Sequence, residues 1–230
     1  EATTDEDATA EDTTDEDEER HPFATPVVEG DAMRIERAYL DSLPVGEQQD
    51  VIDQSRGTME EVEAAVEDFP SFFEASFYAP YRLGQPLVGL VAALGGNAEV
   101  DAMFADLPDT GLHLTAPLTY IDDQPPGELP PPDSPGDDVM EEDEFDALDL
   151  YYLLAQGVEL DRALEASDSW YAGRFVTYRE DDRVCVRVAL AGDGPDGTAL
   201  VADALEDWVE VAPDEADATF AELSAADEFE

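Results

Sequence analysis

The chain has 230 residues, of which 43% are hydrophobic and 9% aromatic, and this is enough apolar material for a folded core. Its 60 acidic and 10 basic residues give a net charge of −50. That charge excludes binding to nucleic-acid phosphates and to anionic lipid surfaces. Every basic residue is arginine, so a Walker A lysine and a Schiff-base lysine are excluded as well.

The acidity and the absence of lysine indicate adaptation to concentrated salt. At molar salt the Debye length falls to about 3 Å, which screens the repulsion between carboxylates. Carboxylates also hold water and hydrated cations, whereas the apolar stem of lysine would add exposed hydrocarbon. We therefore expect a protein of a halophile, with hydrated cations as surface partners. A low-salt acidic interaction protein or a calcium-binding chain is the alternative interpretation.

Residues 1–26 are predicted to be a disordered acidic linker, because residues 1–20 are almost all acidic residues, threonine and alanine. Since the sequence starts at Glu1 rather than at Met, we expect a preceding segment to have been removed. The apolar run 86–96 is shorter than the roughly 20 residues that cross a bilayer, so no direct membrane insertion is expected.

Residues 27–121 are predicted to form a helical core. Apolar residues at intervals of three and four predict a helix over 27–43, which ends before Pro44, and a second helix over 58–68. The aromatic segment 69–81 is predicted to be the hydrophobic centre. Pro86 and Gly95-Gly96 are typical of the two ends of a buried central helix with Leu90 in its interior, and a short helix over 98–107 follows.

A proline-rich crossing over 122–139 is predicted to lead into an α+β subdomain over 140–212. That subdomain is expected to begin with a helix that starts at residues 141–144, and a second helix is expected over 159–166. Alternation in 170–178 and 183–190 predicts a β-hairpin, which a helix containing Leu200 and Trp208 covers. Residues 213–230 are expected to be an acidic tail with a possible short helix near 220–223. The predicted fold class is α+β and mainly helical.

The sequence contains no recognisable catalytic constellation, so no catalytic or cofactor-binding residue is assigned. His21 and His113 are far apart, whereas zinc sites commonly use two histidines one helical turn apart and a third ligand. His21 is predicted to be a solvated loop residue and His113 a structural histidine that caps a helix or turn. Cys185 alternates with valines and is predicted to be a packed strand thiol. The loop 193–197 is predicted to be a strand-to-helix turn rather than a calcium site.

Several short segments, in their order and spacing over about residues 27–211, resemble the C-terminal part of the neutral zinc metallopeptidase-like extracytoplasmic proteins, in particular their haloarchaeal surface-protein branch. The matching segments are Val28-Glu29-Gly30-Asp31-Ala32; Ala79-Pro80-Tyr81 with Gly84 and Val88; Leu94-Gly95-Gly96 with Val100-Asp101; Leu107-Pro108-Asp109-Thr110 with Pro117 and Tyr120; and Trp170 with Gly173-Arg174-Phe175.

The resemblance implies a gluzincin-like helical core and an extracellular location at the cell surface of an archaeal halophile. In that family an upstream helix carries an H-E-x-x-H pair and a glutamate at the position of Glu29 is the third zinc ligand. This chain contains no H-E-x-x-H, so Glu29 is a conditional metal ligand that needs an upstream fragment to supply the histidines. Without the resemblance, Glu29 is equally well explained as a carboxylate favoured near a helix N-terminus.

Three functions are open at the level of sequence. The preferred one is a halophilic cell-surface protein with a metallopeptidase-like fold that is not catalytic as it stands and has a structural or interaction role in the envelope. The second is the C-terminal fragment of a processed or split zinc metallopeptidase, with an upstream fragment of the same precursor as its partner. The third is an unrelated acidic binding module. Another envelope protein is the expected partner in the first case.

Overall fold

The structure, a computed structural model, describes residues 21–66, 69, 71–135, 138–181, 183–213 and 216–222. Residues 1–20 of the predicted acidic linker, and most of the predicted tail, lie outside the described residues. The fold is α+β and mainly helical, as the sequence predicts, with one antiparallel three-stranded sheet among the described residues. None of the described helices is both long enough and apolar enough to cross a membrane.

Helices α1 (Ala24–Ser42) and α3 (Ser71–Gly95) cross at an unusually short distance. A Cβ atom added to Gly84 would overlap the carbonyl group of Pro26, and one added to Gly30 would overlap the carbonyl group of Gly84. Because only glycine lacks that atom, these two glycines allow the backbones to touch. The predicted helix over 27–43 is thus confirmed, and it begins three residues earlier than expected.

Helix α2 (Val45–Val66) connects α1 to α3. It is much longer than the predicted helix over 58–68 and starts directly after Pro44. No other described helix or strand packs along α2, and none of its described side chains is buried.

Helix α3 corrects two predictions. It runs through Pro80 and Pro86, so Pro86 does not start a helix as predicted. A proline in a helix interior costs about 3 kcal/mol, and burial of the surrounding apolar side chains offsets that cost. Leu87 is fully buried, whereas Leu90, which was expected at the centre, is only half-buried.

The aromatic segment 69–81 is not the hydrophobic centre that the sequence predicts. Phe69, Phe73 and Phe77 are each 58% exposed, while the small side chains of Ala75 and Ala79 are buried on the other side of α3. Composition alone indicated a core here, but it does not say which element covers which face.

Three short helices follow α3 and surround its C-terminal end. They are α4 (Asn97–Met103), α5 (Leu112–Thr115) and α6 (Pro117–Ile121). Helix α4 corresponds to the predicted helix over 98–107, although it ends four residues sooner. Residues 124–135 contain no helix or strand, in agreement with a proline-rich crossing.

The sheet has the order β1-β2-β3, with β1 at Val139–Glu144, β2 at Trp170–Glu180 and β3 at Arg183–Gly192. The predicted hairpin is therefore confirmed. The expected helix start at residues 141–144 is wrong, because this acidic stretch is an edge strand against β2. Its residues are all exposed, so it has no periodic apolar signal, and Glu142 pairs with Arg174 across the ladder at 3.5 Å.

Helices α7 (Ala147–Leu154), α8 (Leu160–Asp168) and α9 (Gly194–Val211) complete the core. Helix α9 packs on the hairpin as predicted, and it already begins within the predicted loop 193–197. Leu87, Leu150, Leu154, Trp170 and Ala204 belong to one buried cluster, which joins residues of the predicted helical core and of the predicted α+β subdomain. Residues 217–222 have no regular structure, and residue 223 lies outside the described residues.

Candidate functional site

An open cavity of about 620 Å³ lies between the C-terminal end of α3 and the helices α4, α5 and α6. Apolar side chains and carboxylates both line it, and none of the described lining residues is an arginine. The apolar lining residues include Val91, Leu94, Met103, Leu107 and Ile121, and the carboxylates are Glu99, Asp106, Asp109 and Asp123.

His113 is the buried polar residue of this cavity, with only 7% of its surface exposed. Its Nε2 atom lies 3.2 Å from the backbone carbonyl oxygen of Gln124. A carbonyl oxygen only accepts hydrogen bonds, so Nε2 carries a proton and donates it. The ring is thereby fixed to the turn that follows α6, in agreement with the structural histidine that the sequence predicts.

The other ring nitrogen of His113, Nδ1, is buried and has no hydrogen-bond partner. Oδ1 of Asp109 lies 3.3 Å from it but outside hydrogen-bonding geometry. In the neutral imidazole Nδ1 is an acceptor that faces another acceptor, whereas in the protonated ring it carries a proton and forms an ion pair with Asp109. The Asp109 side chain is 82% exposed and so is free to turn.

Tyr120 forms the neighbouring wall of the cavity. Its ring packs edge-on against the His113 ring with a centroid separation of 5.6 Å, and its hydroxyl donates a hydrogen bond of 3.0 Å to the backbone carbonyl of Asp106. Burial raises the pKa of the Tyr120 phenol, and the carboxylates of Asp106 and Glu99 raise it further. The phenol therefore stays neutral and remains a hydrogen-bond donor.

Two backbone features position His113. Gly111 precedes α5 and donates its N–H to Oδ2 of Asp146 at 3.0 Å; an added Cβ would lie 2.6 Å from that oxygen, so only glycine fits. Asp123 has a φ of +49°, a conformation that aspartate tolerates better than most residues. The turn at Asp123 brings the backbone carbonyl of the following residue, Gln124, to the imidazole of His113.

This arrangement can bind a cation that carries N–H donors. Once the exposed Asp109 side chain turns aside, an N–H donor can contact both Nδ1 of the neutral imidazole and the Asp109 carboxylate. The apolar wall suits a hydrocarbon stem, which distinguishes an organic cation from hydrated Na⁺ or K⁺. Within the described residues, the cavity contains no serine, cysteine or lysine that could act as a nucleophile.

The residues singled out from the sequence lie elsewhere. Glu29 is half-buried in α1 and does not line the cavity. Among the described residues, no group of three or more His, Cys, Asp or Glu side chains is placed so that it could hold a metal ion. His21 is exposed before α1, and Cys185 is a half-buried free thiol in β3.

Sequence reasoning missed the cavity because its residues are spread over four elements and the joining loop. The one available signal was the pair His113 and Asp109, which have the i, i+4 spacing that brings side chains together on a helical turn. In a chain with 60 acidic residues, such a spacing does not stand out.

No protein-family model matches the chain, and neither a curated protein nor a solved structure matches it.

Proposed function

We propose that this protein is a salt-adapted, non-catalytic interaction protein of a halophile's cell surface, and that its α3–α6 cavity binds primary ammonium or guanidinium groups. The observation that carries the proposal is the buried Nδ1 of His113, which has no hydrogen-bond partner and lies 3.3 Å from the Asp109 carboxylate in a cavity with an apolar wall. In this proposal the protein binds an envelope component and does not catalyse a reaction on it.

Recognition depends on contact rather than on long-range attraction. At molar salt the Debye length is about 3 Å, so the net charge of the chain does not steer a cation into the cavity. A charge-assisted hydrogen bond to Asp109 and burial of an alkyl stem against Leu94 and Leu107 remain effective at this salt concentration. Both parts of the ligand are needed, because hydrated inorganic cations compete for the carboxylate alone.

We also propose a metallopeptidase-like, gluzincin-like ancestry for the core. The segments that carry the resemblance support it because several of them are in mutual contact. Gly30 of the first segment touches Gly84 of the second, and the segments that contain Leu94 and Asp109 both line the cavity.

The test is calorimetric titration of the full chain with n-butylammonium in about 2 M KCl, with n-butanol as the neutral ligand of equal shape. We expect Asp109→Asn to weaken butylammonium binding about threefold to tenfold, because it removes one charge-assisted contact. Asp101→Asn is the matched control, since Asp101 is an exposed carboxylate of α4 that does not line the cavity. Equal binding of butanol, or equal loss in both variants, would contradict the proposal.

A capped peptide with one central lysine distinguishes the two sources of the cation. If a partner protein presents the ammonium group, the peptide binds more tightly than butylammonium. If the natural ligand is a small amine, the free amine binds at least as well, since the cavity volume of about 620 Å³ accommodates a small molecule.

A further inference from the structure

Helix α2 is an amphipathic helix without a packing partner. Among the described residues, no element packs along it, yet it extends over Val45–Val66. Gly57, in its interior, has no atom within 4 Å of the position of a Cβ, so no close approach requires this glycine. Helices in proteins owe most of their stability to the packing of an apolar face, and α2 has none within the described chain.

The sequence of α2 has a heptad repeat. Val45, Ile52, Met59 and Val66 follow one another at intervals of seven, which are the a positions of a coiled coil, and Gln48, Ser55 and Val62 occupy the d positions. Val45 is 80% exposed and Ile52 is 46% exposed. Two polar residues at d positions reduce the stability of such a seam, so a weak association is expected.

In the heptad register of the α2 sequence, the seam positions carry little acidic charge. Five of the six acidic residues lie at the b, c and f positions, and only Glu63 occupies a flanking e position; the five are Glu47, Asp50, Asp53, Glu60 and Glu61. The other flanking positions hold uncharged residues and Arg56. In a chain with a net charge of −50, a nearly neutral seam fits a partner that is itself highly acidic, and a second copy of this chain is such a partner.

An exposed ridge of three phenylalanines follows α2 along the chain: Phe69, which precedes α3, and Phe73 and Phe77 of α3. A phenylalanine side chain that becomes fully covered buries about 200 Å² of surface. Because these three side chains are each 58% exposed, together they have about 350 Å² of exposed apolar surface that a partner could cover. With Val45 and Ile52 the apolar area is about 550 Å² per copy, or about 1,100 Å² for two copies, which is typical of weak, specific interfaces.

We propose that two copies of this chain associate through the heptad face of α2 and the phenylalanine ridge that follows it in the sequence. The dimer is weak and salt-dependent. Two chains of charge −50 repel each other at low ionic strength, and molar salt screens that repulsion while it strengthens apolar contacts.

Sedimentation equilibrium of the full chain, from about 1 to about 200 µM, tests this proposal. In about 2 M KCl the mass should rise from 25.0 kDa towards twice that value, with a dissociation constant in the micromolar range. We expect Ile52→Gln to weaken the dimer at least about tenfold, because it puts a third polar group into the seam. The matched control, Asp50→Gln on the outer side of the same helix, should change the constant less than about twofold.

Phe73→Gln provides a second variant, which leaves α2 unchanged and should weaken the dimer to a similar extent. A wild-type chain that stays monomeric over the whole range, or a dimer that neither Ile52→Gln nor Phe73→Gln weakens, would overturn the proposal. Hydrogen exchange distinguishes a second copy of the chain from another segment of the same chain as the occupant of this surface. Protection of the α2 amides that increases with protein concentration supports a second copy, whereas protection independent of concentration would assign the partner to the same chain and refute the dimer.

Discussion

The crossing of α1 and α3 makes a sharp prediction, because two glycines of the same helix should respond to alanine with opposite signs. A Cβ at Gly84 would overlap the carbonyl group of Pro26 and lie 3.2 Å from its Cα. Helix α1 would have to move outward, and this would loosen the fully buried Val27 and Val88. Overpacking of this kind costs about 1–3 kcal/mol. Gly89, five residues further on, has no atom within 4 Å of the place that a Cβ would take.

Alanine is favoured over glycine in a helix by about 1 kcal/mol, so Gly89→Ala should stabilise the chain by about that amount. Gly84→Ala gains the same propensity but is overpacked, so we expect a net loss of up to about 2 kcal/mol. Urea unfolding followed by circular dichroism, in about 2 M KCl, measures both variants, and the non-ionic denaturant leaves the salt unchanged. With a slope of about 2 kcal/mol per molar urea, the two midpoints should differ by about 0.5–1.5 M. Equal midpoints would refute the close crossing of α1 and α3.

Four further predictions follow from the same structure. Leu87→Ala should cost about 2–5 kcal/mol in unfolding free energy and Leu90→Ala clearly less, which urea unfolding can measure and which equal losses would contradict. Asp149 lies in the first turn of α7, where burial raises the pKa of its carboxyl although the backbone N–H of Asp146 donates a hydrogen bond to it and lowers the pKa in part. Its ionisation therefore opposes folding, so the wild-type stability should fall relative to Asp149→Asn as the pH rises above about 4, and parallel pH profiles would exclude this effect. Glu29→Gln should leave the unfolding midpoint and butylammonium affinity unchanged, whereas loss of a zinc-dependent activity in native material would favour the split-peptidase interpretation. The far-ultraviolet dichroism should show a folded chain in about 2 M KCl and an unfolded one in about 0.1 M, and an equally folded chain at low salt would contradict salt adaptation.

The elements with regular apolar periodicity could be predicted from the sequence. The stripe that includes Val28, Ile35 and Tyr39 indicated α1, and strict alternation indicated the hairpin of β2 and β3. The spacing identified the type of each element but not its buried face. Val28, Ile35 and Tyr39 are each at least 50% exposed, and the residues of α1 that are buried are Pro26, Val27 and Gly30. The fold class follows from these elements, and it is confirmed.

The errors come from elements whose local signals conflict with tertiary contacts. Pro86 is a typical helix start, but the buried side chains around it keep α3 continuous. β1 is fully exposed and therefore has no apolar pattern; its register against β2 is set by the ladder and supported by the pair of Glu142 and Arg174. To predict the continuous helix α3 and the strand β1, one must know which element packs against each of them, and the apolar periodicity of a segment does not give that information.

The same argument explains why the cavity and the exposed surface of α2 and α3 had to come from the structure. An aromatic-rich segment such as 69–81 predicts that its phenylalanines are buried. From the sequence we expected them to be buried in the core of the same molecule. In the described chain the small residues Ala75 and Ala79 face that core, and the phenylalanine ridge faces outward. Repulsion between acidic surfaces opposes contact between two such ridges, and concentrated salt screens that repulsion. The proposed salt adaptation and the proposed self-association are therefore coupled, since concentrated salt favours both the folding of an acidic chain and the burial of the ridge.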